Sequence, residues 1–189
     1  MREYKVGGYL CPVDERTRET AHAIVTDTDD SDHAARELFH HVRESFCWDM
    51  TKIRGTQHLL AEEPVRAMSF DKSNLLVSLA RSLGIPARFN LIRCTFHNEY
   101  KDRTDSSIHA PVELRLDGDW VTADPAFGEA TSRFKPPSQF GEQTWEETSS
   151  EKKVSELPKK LVLGYNYLFR FLHPGVRRIR NELRECQEI

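Results

Sequence analysis

Residues 69–90, SFDKSNLLVSLARSLGIPARFN, carry the clearest structural signal in this chain. Over residues 70–83, apolar side chains recur at three- and four-residue spacing, which predicts a largely buried helix with a wide apolar face. Gly84 ends that helix, and Pro86 prevents its continuation. Residues 87–96 are rich in strand formers and alternate in part, so we expect a strand directly after the helix.

A second amphipathic helix is predicted upstream, over residues 33–46. Its apolar residues share one face, at positions Ala35, Leu38, Phe39, Val42 and Phe46. The acidic run at residues 26–32 supplies Asp and Ser side chains that can accept hydrogen bonds from the free N–H groups of a first turn. Residues 1–32, which precede this helix, are expected to form an N-terminal segment. Residues 49–68, which follow it, are expected to form a loop with a short helix.

A β-hairpin is predicted within residues 109–128, HAPVELRLDGDWVTADPAFG. Asp117 and Gly118 lie between two alternating runs, which is typical of a two-residue type I′ turn. That turn pairs residues 111–116 with residues 119–124 in antiparallel register. Because side chains alternate along each strand, the hairpin has one apolar face and one polar face.

His109 and Asp124 fall on the polar face of this hairpin as diagonal neighbours, a separation that such side chains can span. A carboxylate that bonds one imidazole nitrogen leaves the other nitrogen to act as a general base. Such a pair forms the orienting half of a catalytic triad. The alternative interpretation is that the two are independent residues at strand ends.

The rest of the chain is divided between polar loops and apolar segments. Residues 97–107 are expected to form an exposed polar loop, and residues 128–160 a long surface excursion. The apolar and aromatic residues 161–172, LVLGYNYLFRFL, are expected to dock on the core. Residues 176–189 have the pattern of a terminal helix.

Composition excludes several classes of protein. The chain has 189 residues, with 27 Lys+Arg against 30 Asp+Glu and a formal net charge of -3, so it has no global basic field for nucleic acid or anionic lipid. No apolar run approaches the ~20 residues of a membrane span, and the N-terminus has no apolar signal region. We therefore expect a cytoplasmic protein without nucleic-acid or membrane partners. Its four cysteines form no CxxC pair and suggest no zinc site.

Two segments together resemble the transglutaminase-like superfamily. LVSLARSLGIPAR, residues 76–88, is similar to a helix and following strand of that family. HAPVELRLDGDWVTADPAFG is similar to its second block, with a His-bearing strand, a turn before Trp, and an Asp followed by Pro. The resemblance covers about residues 33–128 and implies an α+β fold, a papain-like core whose N-terminal helices pack on an antiparallel sheet. Residues 129–189 are then a C-terminal extension that docks on this core.

The resemblance also implies roles for individual residues. His109 corresponds to the general base and Asp124 to the group that orients it. Ser69 occupies the position where the family has its nucleophilic Cys. Trp120 is expected to pack against the site-side helix, the resemblance implies that it shields the triad, and it is the candidate substrate contact. The implied chemistry needs no metal and no organic cofactor.

Serine at position 69 is the main departure from the family pattern, and Ala67 and Pro111 stand where the family has Gly and Trp. An alkoxide forms far less readily than a thiolate, so a Ser nucleophile needs its proton removed during attack. Three explanations stay open: an engineered Cys replacement, natural divergence to a non-catalytic domain, and a true serine-type acyl transferase or hydrolase. Ser69 is also a candidate N-cap for the following helix, with its hydroxyl bonded to an amide near Lys72. Cys94, in the strand after the helix, is a displaced alternative nucleophile.

Two hypotheses of function follow. In the first, the protein transfers an acyl group or hydrolyses an amide or peptide bond through a Cys(Ser)-His-Asp triad. Its substrate is then a peptide, a protein or a small amide or amine. In the second, the protein is a catalytically inactive binding module that holds a peptide or protein partner in the old cleft. The loss of Cys at position 69, together with Ala67, supports the second hypothesis.

Overall fold

A computed structural model describes residues 4–26, 29–48, 53–61, 66–98, 103–126 and 152–167. The helices are α1 (Glu15–Ile24), α2 (Ser31–Ser45), α3 (Thr56–Ala61), α4 (Ser69–Ser82) and α5 (residues 159–167). The strands are β1 (Cys47–Trp48), β2 (Arg66–Ala67), β3 (Ala87–Asn98), β4 (Arg103–His109), β5 (Val112–Leu116), β6 (Asp119–Ala123) and β7 (Lys152–Val154). The fold is α+β, with α1, α2 and α3 packed on α4, which in turn packs on an antiparallel sheet.

The central helix α4 ends as the sequence predicts. Every residue from Phe70 to Arg81 is buried. Beyond it, Gly84 has a φ of +79°, and the N–H groups of Gly84 and Ile85 donate to the carbonyl oxygens of Arg81 and Ala80, both at 3.0 Å. This is a Schellman cap, in which a residue with positive φ satisfies carbonyls that the helix leaves without partners.

The beginning of α4 differs from the prediction. Met68 is the N-cap residue, with extended backbone and no side-chain cap hydrogen bond, and Ser69 is the first helical residue. The prediction that Ser69 caps the helix is therefore wrong. A capping residue must have non-helical backbone, and that conformation belongs here to Met68, whose thioether is a poor substitute for an oxygen acceptor.

Two capping interactions determine the ends of α2. The carboxylate of Asp30 accepts a hydrogen bond from the N–H of Asp32, so the expected cap from the acidic run is present and the helix begins at Ser31. At the other end, the buried Nζ of Lys72 donates to the carbonyl oxygen of Arg43 at 2.8 Å. This places a cation beside the negative end of the helix dipole.

The N-terminal segment contains α1, which the sequence interpretation missed. The Asp14 carboxylate accepts from the N–H of Thr17 at 3.0 Å, and the Thr17 hydroxyl accepts from the N–H of Asp14 at 2.9 Å. This is a capping box with Thr in place of the usual Glu or Gln. Only Thr17 and Ala21 are buried on this helix, so its apolar periodicity is too weak to signal it.

In the sheet, β3 pairs with β4 and then β5 along one edge and with β7 along the other, and β5 pairs with β6. Five of the six predicted pairs are present between β5 and β6, all in the predicted register, and the ladder ends before the sixth, Pro111 with Asp124. Asp117 and Gly118 have φ values of +50° and +96°. Both are positive, as a type I′ turn requires, and the hairpin prediction is confirmed.

The long strand β3 pairs with both β4 and β5 in one continuous register. Phe89 pairs with Val112, and Ile92 pairs with His109, so no residue is inserted or lost between β4 and β5. The prediction of a polar loop over residues 97–107 is wrong for residues 97–98, which belong to β3, and for residues 103–107, which belong to β4. A two-stranded ladder is held by backbone hydrogen bonds, which polar sequences also form.

The C-terminal residues 152–167 contact the core. β7 pairs with β3 on the edge opposite β5, at residues 89–91, which covers backbone groups that would otherwise be unpaired. The prediction of a surface excursion over residues 128–160 is therefore wrong for residues 152–154, which form β7. Residues 127–151 and the predicted helix at 176–189 lie outside the described residues. Within the described ranges, every helix is too short or too polar to cross a lipid bilayer.

Arg81, at the end of α4, joins three separate segments. Its buried guanidinium donates to the carbonyl oxygens of Ala87, Val6 and Ser155, at distances between 2.7 and 3.1 Å. Burial lowers the pKa of Arg81 from its ordinary value. The start of the chain, the start of β3 and the residue after β7 are therefore held together by one side chain.

Candidate active site

The centre of the candidate site is a buried pair formed by His109 and Asp124. The Nε2 of His109 lies 2.5 Å from the Oδ2 of Asp124, and each side chain is 5% exposed. The other carboxylate oxygen, Oδ1, accepts from the N–H of Ala126 at 3.0 Å. Because both carboxylate oxygens are engaged, Asp124 holds the imidazole in one orientation.

The ends of β4 and β6 bring His109 and Asp124 close together. His109 is the last residue of β4, and Asp124 directly follows β6. The continuous register of β3 preserves the alternation across the β4–β5 junction, so His109 keeps the diagonal relation to Asp124 that the hairpin pattern predicts. The expected hydrogen bond between the two is therefore present. Their catalytic roles stay a prediction.

Ser69 is the first residue of α4, and a hydrogen bond joins the start of this helix to the His-bearing strand. One helical turn later, the Ser73 hydroxyl donates to the carbonyl oxygen of Ala110 at 2.8 Å. Ala110 follows His109, so this bond ties the first turns of α4 to the end of β4. Residues four apart lie on one face of a helix, so Ser69 lies on the same side of α4 as Ser73. Its hydroxyl is partly buried and forms no hydrogen bond with the described residues.

Asp71 stabilises the segment that lies before α3. Its Oδ1 accepts from the N–H groups of Arg54 and Gly55, at 2.8 and 2.7 Å. Burial raises the pKa of Asp71 to about 6, although the two amide hydrogen bonds favour the charged form and oppose this rise. The carboxyl group with this raised pKa lies two residues after Ser69, in the first turn of α4.

Trp120 lies in an aromatic and basic cluster on the β5–β6 hairpin. The Arg88 guanidinium lies over its ring, 3.8 Å from the centroid, and Tyr4 contacts it edge-on with centroids 5.4 Å apart. Arg88 also donates to the buried Glu113 at 2.6 Å, and Lys153 lies 2.5 Å from the other oxygen of Glu113. The ring contacts of Trp120 are thus with the N-terminal segment and the sheet. Its implied contact with substrate stays a prediction.

Cys94, the alternative nucleophile, lies on β3, whose backbone pairs with the His-bearing strand. Cys94 pairs with Ser107, two residues before His109. Cys11 is a buried free cysteine, and its burial raises the pKa of the thiol. Among the residues that the structure describes, no group of three or more His, Cys, Asp or Glu side chains is arranged to hold a metal ion.

Ser73 and Asp71 are site-supporting residues that the sequence interpretation did not identify as such. Both belong to a stretch of α4 in which polar residues are as buried as the leucines: Asp71, Lys72, Ser73, Asn74 and Ser78. The available signal was a polar run inside a helix predicted to be largely buried. Buried polar groups need hydrogen-bond partners, so such a run indicates specific contacts with other segments.

Comparison with known proteins places this chain in a family. A family model described as the transglutaminase-like superfamily matches residues 18–125, more than half of the chain. Among solved structures, the chain is similar in fold to a putative cysteine protease from Cytophaga hutchinsonii, with 15% sequence identity and a TM-score of 0.54. The similarity covers 65% of this chain and 40% of that one, so this chain spans less than half the length of the protease. No curated protein matches the sequence.

Proposed function

This chain belongs to the transglutaminase-like superfamily, and on that premise we propose that it catalyses acyl transfer or amide hydrolysis through Ser69, His109 and Asp124. The observation that carries the proposal is the buried 2.5 Å hydrogen bond between His109 and Asp124. The proposed substrate is a peptide, a protein or a small amide or amine.

In the proposed reaction, the Ser69 Oγ attacks the carbonyl carbon of the substrate, and its proton passes to the Nδ1 of His109. The carbon–nitrogen bond then breaks, and the leaving amine takes that proton, which leaves the acyl group as an ester on Ser69. Water or a second amine attacks the ester through the same base, and His109 returns a proton to the Ser69 Oγ. Asp124 orients His109 and stabilises the imidazolium that forms in each half of the reaction.

The beginning of α4 supports this assignment. Met68 supplies no side-chain cap, and the first intrahelical bonds are those from Asp71 and Lys72 to the Met68 carbonyl oxygen. The N–H groups that precede Asp71 in this turn have no partner within the helix and can stabilise a developing oxyanion. An attacking group on Ser69 would therefore form its tetrahedral intermediate beside backbone donors.

Active-site labelling tests the proposal directly. The unmodified protein should react with a fluorophosphonate probe at Ser69, and Ser69→Ala and His109→Ala should each abolish the labelling. Ser45→Ala, on the exposed end of α2, is the matched control and should leave the labelling unchanged. Labelling that survives Ser69→Ala would show that another residue is the nucleophile.

A second experiment asks whether the site favours thiol chemistry. Ser69→Cys should be alkylated by iodoacetamide at that residue, because a helix N-terminus stabilises a thiolate and, in the proposed site, so does the imidazole of His109. His109→Ala should slow the alkylation of the Ser69→Cys protein. If iodoacetamide labels Ser69→Cys but the fluorophosphonate does not label the unmodified protein, the site is one that suits a thiol nucleophile and lacks the thiol.

The binding-module hypothesis has one specific observation in its favour. The Ser69 hydroxyl has no hydrogen bond to His109, whereas a serine nucleophile is activated through such a bond. If neither the unmodified protein nor Ser69→Cys is labelled, the catalytic proposal fails and the binding-module hypothesis is favoured.

A further inference from the structure

One residue of α5, Tyr165, touches the neighbours of both reacting groups. Its hydroxyl donates to the carbonyl oxygen of Ile108 at 2.9 Å. Ile108 immediately precedes His109 on β4. Because this bond is to backbone, it restrains the strand itself and not merely one side chain.

The ring of Tyr165 makes the second contact. It packs edge-on against Phe70, with ring centroids 4.9 Å apart and an angle of 72° between the planes. Phe70 is 1% exposed and immediately follows Ser69. The first turn of α4 is therefore packed against the same side chain that bonds β4.

The next residue of α5 adds a separate connection to α4. The amide of Asn166 accepts from the N–H of Ile53 at 2.8 Å and donates to the Ile53 carbonyl oxygen at 3.2 Å. The residues after Ile53 donate to the carboxylate of Asp71, within the first turn of α4. α5 thus holds the start of α4 both directly, through Phe70, and indirectly, through this segment.

We propose that Tyr165 is a positioning residue that sets the distance between Ser69 and His109, through its contacts with Phe70 and Ile108. The proposal rests on the proposed function, because the distance matters only if the two residues react together. A displacement of about 1 Å between reacting groups can cost about two orders of magnitude in rate. A side chain that contacts the residue next to each of them is well placed to prevent such a displacement.

The test uses the Ser69→Cys protein, in which iodoacetamide reports the thiolate. Tyr165→Phe keeps the ring against Phe70 and removes only the hydroxyl that binds Ile108. We expect the alkylation rate at neutral pH to fall about tenfold, a partial loss of positioning. The midpoint of its pH dependence should rise, because a more distant imidazolium stabilises the thiolate less. Tyr165→Leu, which loses both contacts, should lower the rate further.

The control is Tyr9→Phe, which removes the hydroxyl of a tyrosine that is 84% exposed. It should change neither the rate nor the pH midpoint. Thermal unfolding of each variant shows whether the fold is retained, and a purely structural role for Tyr165 would lower Tm without moving the pH midpoint. An unchanged rate and midpoint in Tyr165→Phe would overturn the positioning role alone. A Ser69→Cys protein whose thiol reacts no faster than a free thiol would overturn the positioning role, and the proposed function falls with it only if the fluorophosphonate also fails to label the unmodified protein.

Discussion

The two ends of α4 are built in opposite ways. The C-terminal end is closed by backbone geometry, with the Schellman cap at Gly84, and is fastened to three segments by Arg81. The N-terminal end has no side-chain cap, begins with a serine whose hydroxyl has no described partner, and holds a carboxyl group whose pKa is raised to about 6.

The contacts at the C-terminal end of α4 contribute to stability, whereas the N-terminal end keeps polar groups available for chemistry. At the C-terminal end, local backbone groups and one guanidinium satisfy each other, which leaves nothing for a ligand. At the N-terminal end, the donors and the Ser69 hydroxyl are held in place by distant contacts, through Ser73, Asp71 and Phe70. Such an arrangement keeps polar groups available at a fixed position, as a reactive site requires.

The largest expected effect is on the C-terminal end. Arg81→Met should lower the free energy of unfolding by about 4 kcal/mol, because the carbonyl oxygens of Ala87, Val6 and Ser155 lose a charged donor. Arg18→Met is the control, since Arg18 pairs with Glu15 at the surface and its loss should cost within about 0.5 kcal/mol. Urea denaturation measures both values. Equal losses in the two variants would contradict the role assigned to Arg81.

The next effect concerns the N-terminal end and depends on pH. The folded-state pKa of Asp71 lies above its unfolded value of 3.8, so between about pH 4 and pH 6 the folded protein binds more protons than the unfolded chain. This contribution therefore favours folding at low pH and is lost as the pH rises through 6. Both amide hydrogen bonds go to Oδ1, so Oδ2 can carry the proton without breaking them.

Asp71→Asn isolates that contribution, because its amide resembles the protonated acid at every pH. From pH 7 to pH 4, the unmodified protein should gain about 2–3 kcal/mol of unfolding free energy relative to the variant. Urea denaturation of both proteins across this range measures the difference, in which the other carboxyl groups cancel. A difference that does not vary with pH, or that varies in the opposite direction, would show that Asp71 is charged in the fold throughout.

The smallest effect compares two serines one turn apart. Ser73→Ala should cost about 1–2 kcal/mol, because it removes a buried hydrogen bond to Ala110. Ser69→Ala should change the free energy of unfolding by less than about 0.5 kcal/mol, since its hydroxyl has no described partner. If Ser69→Ala were the more destabilising change, Ser69 would be a structural residue.

Prediction from sequence succeeded where the determining contacts are local. Gly84 and the Asp117-Gly118 turn adopt positive φ, which few residue types tolerate, so the end of α4 and the hairpin register follow from the residues themselves. It failed for α1, whose Thr-based capping box and narrow buried face leave a weak pattern. It failed also for β4, because residues 103–107 pair through their backbones.

The candidate site divides in the same way. Alternation along the hairpin is a property of the sequence, and it was sufficient to bring His109 and Asp124 together. The predicted start of the helix, with Ser69 as its N-cap, is one residue later than the observed start. Ser69 is not the cap, because Met68 has the extended backbone at that boundary. Ser73 and Tyr165 could not be assigned, because their partners lie 37 and 57 residues away.

The amino-acid sequence by itself determined the buried helix, its C-terminal stop, the hairpin and the pairing of a histidine with an aspartate. These features depend on residue periodicity and on backbone conformations that belong to particular residue types. Only the tertiary structure decided how α4, β4 and α5 meet around Ser69 and His109. Those contacts join groups that are far apart in the chain, and the free energy that holds them comes from burial and from hydrogen bonds that no local pattern specifies.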